Sequence, residues 1–117
     1  MSTPASPPPE IPYSALLGQV IKQRRTSQGV DQVDMASALG VSQSAYSRIE
    51  SGDTTMNVWQ LRTCAELLDV SPSRLLEQVQ RHEHQLSSQG VKVVAEKRTN
   101  PAAALIGIAI LAALLAR

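Results

Sequence analysis

The sequence predicts an all-α fold of short helices, and three observations predict it. Helix start and stop signals recur at short intervals between residues 14 and 80. The apolar content, 43% of 117 residues, is almost entirely Leu, Ile, Val, Met and Ala, with two Tyr, one Trp and no Phe. Side chains of that size fill the narrow spaces between small helices. Only one segment, around Val91 and Val93, alternates with the period of a strand. A chain of this length holds one compact domain with appendages.

The elements follow in order. Residues 1–13, MSTPASPPPEIPY, place five prolines among the first twelve positions and read as a disordered or polyproline-like arm. Leu17, Val20 and Ile21 give a first helix its apolar face, and Gly29 follows as a left-handed cap. Asp31 is placed to cap a second helix, QVDMASAL, that ends at Gly40, and Ser42 to cap a third that ends at Gly52. Asn57 and Gln60 form the pattern of a capping box, with Met56 against Leu61 as a hydrophobic staple. Ser71 and Pro72 open a long fifth helix, whose stripe of Leu75, Leu76, Val79 and Leu86 packs either on the domain or on a second copy. These helices make one domain over residues 14–86. Residues 87–100 form a linker or one short strand, and residues 101–117 form a separate apolar helix.

Charge and reactive residues exclude several functions. Eleven Lys and Arg face ten Asp and Glu, so no global field draws the chain onto nucleic acid, and any such affinity is local. The single Cys64 forms no internal disulfide and reads as a buried, inert thiol in a reduced cytoplasmic setting. His82 and His84 on one helix point about 200° apart and share no ion, so no metal is expected. No nucleophile and base, phosphate loop or carboxylate pair stands out; neither an enzyme nor a cofactor is expected. Trp59, early in the fourth helix, either covers the core edge or meets another subunit.

In QVDMASALGVSQSAYSRIES, Met35, Leu39, Val41, Tyr46 and Ile49 sit where two short helices joined at Gly40 would bury them, with small Ala36 at the crossing. At 100° per residue, Ala45, Tyr46 and Ile49 then face inward. Gln43, Ser44, Ser47, Arg48 and Ser51 face outward, and all of them form hydrogen bonds.

The stretches LGQVIKQRRTSQGVDQ, MASALGVSQSAYSRIESG and LRTCAELLDVSPSRLL closely resemble the Cro/C1-type (XRE family) helix-turn-helix domain of phage repressors and bacterial regulators, over residues 15 to 78. The resemblance implies a five-helix domain whose third helix lies in the major groove of double-stranded DNA. It places Gln43, Ser44 and Arg48 at base edges, with Ser47 on the same face, and Lys22, Arg24, Gln32 and Ser51 at phosphates. Gln32 would also brace Gln43, and Arg25 with Glu50 would form an internal salt bridge. Family members bind two-fold sites as dimers, so a homodimer is expected. The chain departs from the pattern after the third helix, where Asp53 stands in a region often basic. Between residues 14 and 80, six cations (Lys22, Arg24, Arg25, Arg48, Arg62, Arg74) face seven anions (Asp31, Asp34, Glu50, Asp53, Glu66, Asp69, Glu77). Weak non-specific binding follows, because neutralised phosphates set that affinity.

The tail, AAALIGIAILAALLA, has no polar side chain over fifteen residues. As a helix it spans about 22 Å, short of a hydrocarbon core of about 30 Å. Its flanking Lys97 and Arg98 fit a cytoplasmic side, and Ala103 with Gly107 form a small-xxx-small pair that would let two such helices approach. The tail is therefore read as an inner-membrane anchor or an oligomerisation helix. The leading expectation is a non-enzymatic, dimeric, sequence-specific DNA-binding regulator. The alternatives are a membrane-anchored scaffold whose domain docks a cytoplasmic protein, and an antitoxin-like regulator.

Overall fold

The computed structural model describes residues 7–95 and 101–116. The element order is β1 (Glu10–Pro12), α1 (Tyr13–Ser27), α2 (Gln32–Leu39), α3 (Gln43–Ser51), α4 (Val58–Leu67), α5 (Pro72–Ser88), β2 (Lys92–Val94) and α6 (Pro101–Leu115).

Local signals set most of these boundaries. Ser42 Oγ accepts from Ala45 N at 3.1 Å, and Ser71 Oγ accepts from Arg74 N at 3.2 Å. Asn57 and Gln60 exchange side chain to backbone bonds of 2.8 and 2.9 Å, a complete capping box. Asp31 occupies the N-cap of α2, but its carboxylate makes no capping bond, contrary to the sequence expectation. Gly29, Gly40 and Gly52 all adopt the left-handed conformation behind their helices.

The proline-rich arm corrects the sequence reading. Residues 1–6 lie outside the described residues, but Glu10–Pro12 form β1, and Ile11 is fully buried. β1 pairs in parallel with β2 in the register Glu10 to Lys92, Ile11 to Val93 and Pro12 to Val94. The strand signal at Val91 to Val93 thus finds its partner some eighty residues upstream, in a segment whose prolines favour extended backbone. Proline is tolerated because β1 is three residues long and Pro12 also serves as the N-cap of α1.

α5 uses its apolar stripe internally: Leu75, Val79 and Leu86 are fully buried, which leaves only Leu76 partly outside. Trp59 is 57% exposed and does not seal the core edge.

The C-terminal helix is not a detached tail. α6 packs on β1, α5 and α1, with Ala103, Gly107 and Leu111 buried along one stripe. A Cβ on Gly107 would overlap the backbone carbonyl of Glu10. Of Ala103 and Gly107, expected to bring two helices of separate copies together, Gly107 instead lets a strand of the same chain approach, and Ala103 is buried. Neither is open to lipid or to a partner. At 15 residues α6 spans about 22 Å, and among the described residues no helix is long and apolar enough to cross a membrane. The flanking Lys97 and Arg98 lie outside the described residues.

Candidate nucleic-acid interface

α3 turns one face to the core and the other to solvent. Tyr46, Ile49 and Glu50 are buried, and Gln43, Ser44, Ser47, Arg48 and Ser51 are exposed. The turn before it is closed by Val41 N donating to Ala36 O at 3.0 Å, with Gly40 at φ 67°. Ala36, expected at the crossing of α2 and α3, is buried.

Three contacts with α1 fix where α3 stands. At the first, Ser14 Oγ donates to Gly52 O at 3.0 Å, tying the start of α1 to the end of α3. At the second, Gly18 lies directly against the Glu50 backbone, and a Cβ there would overlap the Glu50 carbonyl. The third is a forked ion pair in which Arg25 Nε donates to Glu50 Oε2 at 2.9 Å and Arg25 Nη2 to Glu50 Oε1 at 2.8 Å. Both residues are buried, Arg25 at 8% and Glu50 at 3% exposure. Arg25 Nη1 also donates to Val30 O at 2.9 Å, so one guanidinium holds α1, the α1–α2 loop and α3 together. Gln32 Nε2 completes the cluster by donating to Glu50 Oε1 at 3.1 Å. This is the amide expected to brace Gln43, and one of its two hydrogens goes to the ion pair.

Burial pushes the Glu50 carboxyl upward, but the hydrogen bonds from Arg25 and Gln32 outweigh it and hold the carboxyl below its ordinary value of 4.5. The hydrogen bond to Glu50 is likewise the main reason that the Arg25 guanidinium is held more basic than usual. A carboxyl lowered by folding stabilises fully above the unfolded value, and that stabilisation is lost as pH falls through the lower folded one. Acid titration of stability should therefore show a loss beginning near pH 4.5 and deepening below it. The loss should be smaller in Glu50→Gln; equal acid slopes in the two proteins would exclude the pair as the cause.

Beside α3 the structure gathers Lys22, Gln32 and Ser51, three of the four residues expected at phosphates, into one shallow cleft of about 100 Å³. Gln19, Ser47 and Glu50 complete its lining. Arg24 lies elsewhere, half-buried near the end of α1. Gln19 went unnoticed in the sequence, although it precedes Lys22 by one helical turn and so shares its face. Ser51 Oγ lies 3.3 Å from Asp53 Oδ2, which brings an acidic group to the edge of the cleft.

Other reactive residues stand apart from this surface. Cys64 is buried, and burial pushes its thiol up to about 12, consistent with an inert sulfur. Among the described residues, no three His, Cys, Asp or Glu side chains are grouped to hold a metal ion.

Five helices in this order, a glycine turn between the second and third, and an exposed polar face on the third define a helix-turn-helix protein, the class of DNA-binding regulators. The chain belongs to the helix-turn-helix domain family, whose profile matches residues 16–78, from α1 into α5. A comparison with curated proteins found no match. β1, β2 and α6 lie outside the matched span and are additions to the domain.

Proposed function

We propose that this protein is a sequence-specific transcriptional regulator that reads the major groove with α3, binds its sites as a dimer in the cytoplasm, and acts without catalysis or cofactor. The observation that carries the proposal is the outward row of Gln43, Ser44, Ser47 and Arg48 on a helix whose inner face is locked to α1. A rigid helix can present such a row to base edges with little ordering cost. Gln43 is suited to adenine and Arg48 to guanine, each bidentate pair worth about 1–3 kcal/mol of discrimination. Lys22, Ser51 and Gln19 would seat a backbone phosphate beside α3 and fix its register on the duplex. Gln32 would contribute while still bonded to Glu50, since its amide has a second hydrogen to donate.

The balance of six cations against seven anions between residues 14 and 80 favours weak non-specific binding and a shallow salt dependence. Two modules on one duplex would supply the affinity that one lacks.

Selection of bound duplexes from a random library tests this. The full chain should be used, because Leu111 of α6 belongs to the core. A two-fold motif should be enriched, and Arg48→Ala should relax it at one base pair per half-site, at a cost of about 1–3 kcal/mol. A folded protein that enriches nothing at low salt would show that the helix-turn-helix surface docks a protein instead.

A further inference from the structure

We propose that the cleft between α1, the α3–α4 loop and α5 binds a small neutral aromatic compound that carries one N–H or O–H group, of the size of phenol or indole. The cleft holds about 220 Å³. An apolar cavity of about 150 Å³ accepts benzene, so this one has room for a substituted ring or two fused rings. Its apolar wall is Leu17, Ile49, Met56, Leu61 and Leu76. Leu17, Met56 and Leu61 pack on the core and keep part of their surface outside it, while Leu76 is 37% exposed. A concave apolar wall with a few polar groups converging on it is the usual form of a small-molecule site.

The chemistry of the lining selects the ligand. Every residue around the cleft is neutral, so a charged ligand would leave water and find no counter-charge. An anion would also meet Glu77 and Glu83, which line the next cleft across Tyr13 and Leu76. The polar side chains of the lining are three hydroxyls, those of Tyr13, Ser14 and Thr55. Ser14 already donates its hydrogen to Gly52 O, so toward a ligand it can only accept. Thr55 is exposed, and among the described residues its hydroxyl has no hydrogen-bond partner. A ligand N–H or O–H donated to Thr55 pairs both groups. The flexible, polarisable thioether of Met56 favours an aromatic ring at the wall.

A ligand of fewer than about ten heavy atoms with one hydrogen bond binds weakly, with Kd on the order of 1 mM. Position gives the site its interest. Ser14 and Gly18 line the cleft and also make the contacts that hold α1 to α3. The occupant rests against the joint that sets the stance of α3, and a ligand that tightens this joint and a duplex that needs it raise each other's affinity. That consequence rests on the DNA reading, whereas the binding itself does not.

Titration of the isotope-labelled full chain with indole and with phenol, followed through its amide chemical shifts, tests the site. The shifts should saturate and centre on Ser14, Gly18, Ile49 and Met56, and benzoate should bind at least about tenfold more weakly than phenol. Thr55→Val should weaken phenol about threefold to tenfold and leave toluene, which has no donor, unchanged. Leu76→Glu brings a carboxylate to the cleft and should weaken indole at least about tenfold; Leu76 is partly exposed, so the fold is kept, as the dispersion of the same spectra will show. The proposal is overturned by the absence of saturable shifts up to about 10 mM probe, or by benzoate binding as tightly as phenol. Shifts centred on the exposed Trp59, or either variant binding phenol and indole as the parent does, would overturn it as well. None of these measurements involves DNA, so failure of the DNA reading leaves their outcome unaffected.

Discussion

Gly52→Ala is expected to cost the fold about 2–5 kcal/mol, while Gly40→Ala costs about 1–2. Both glycines end a helix in the left-handed conformation, at φ 84° and 67°, where any L side chain is strained by about 1–2 kcal/mol. Their surroundings differ. A methyl group on Gly40 meets nothing within 4 Å, whereas one on Gly52 overlaps the backbone and side chain of Ala15. Backbone cannot rotate aside, so α1 would have to withdraw from α3, and the Ser14 bond to Gly52 O would stretch or break. Overpacking of this kind adds about 1–3 kcal/mol. Denaturant midpoints of the two variants provide the check, and equal losses would mean that the α1–α3 contact is loose.

The second large effect is at the buried ion pair. Glu50→Ala leaves the Arg25 guanidinium inside the protein with only Val30 O to accept from it, and strips Gln32 of its partner. Breaking a buried pair from one side costs about 3–5 kcal/mol, because desolvation of the remaining charge goes uncompensated. The double variant Arg25→Met with Glu50→Leu should recover most of that loss, since it leaves no charge behind. If the double variant were as unstable as Glu50→Ala, the hydrogen bonds rather than the stranded charge would be the source. DNA affinity of the double variant should still fall, because the anchor that fixes the angle of α3 is gone.

Much of the candidate site was legible beforehand. The outward row of α3 follows from helical periodicity alone, since Tyr46 and Ile49 must go inside and 100° per residue then sends Gln43, Ser44, Ser47 and Arg48 out. The capping residues Ser42, Asn57 and Ser71 act over three positions, within reach of a local pattern. Gln32 was harder to place, because its partner Glu50 lies eighteen residues away. Gln19 was missed because its membership of the cleft depends on how α1 lies across α3, which no single helix reveals.

The end segments were legible only in part. Proline content marked the start of the chain as extended but gave no sign of a strand, because a three-residue strand is defined by its partner and that partner follows α5. The apolar run at the other end identified a helix that must be buried. It left open whether lipid, another copy or the same chain covers each face.

By itself, then, the sequence determined five helices, their caps, the inward and outward faces of α3 and the near-neutral charge of the module. All of these depend on contacts within about one or two helical turns or on simple counts. The tertiary structure alone decided that Gly18 and Gly52 are points of contact, that Gln32 serves Glu50, and that Gly107 admits β1 to the side of α6. These features join residues far apart in the chain. They exist only once close packing has brought one backbone against another, where the absence of a single methyl group decides whether two elements can meet.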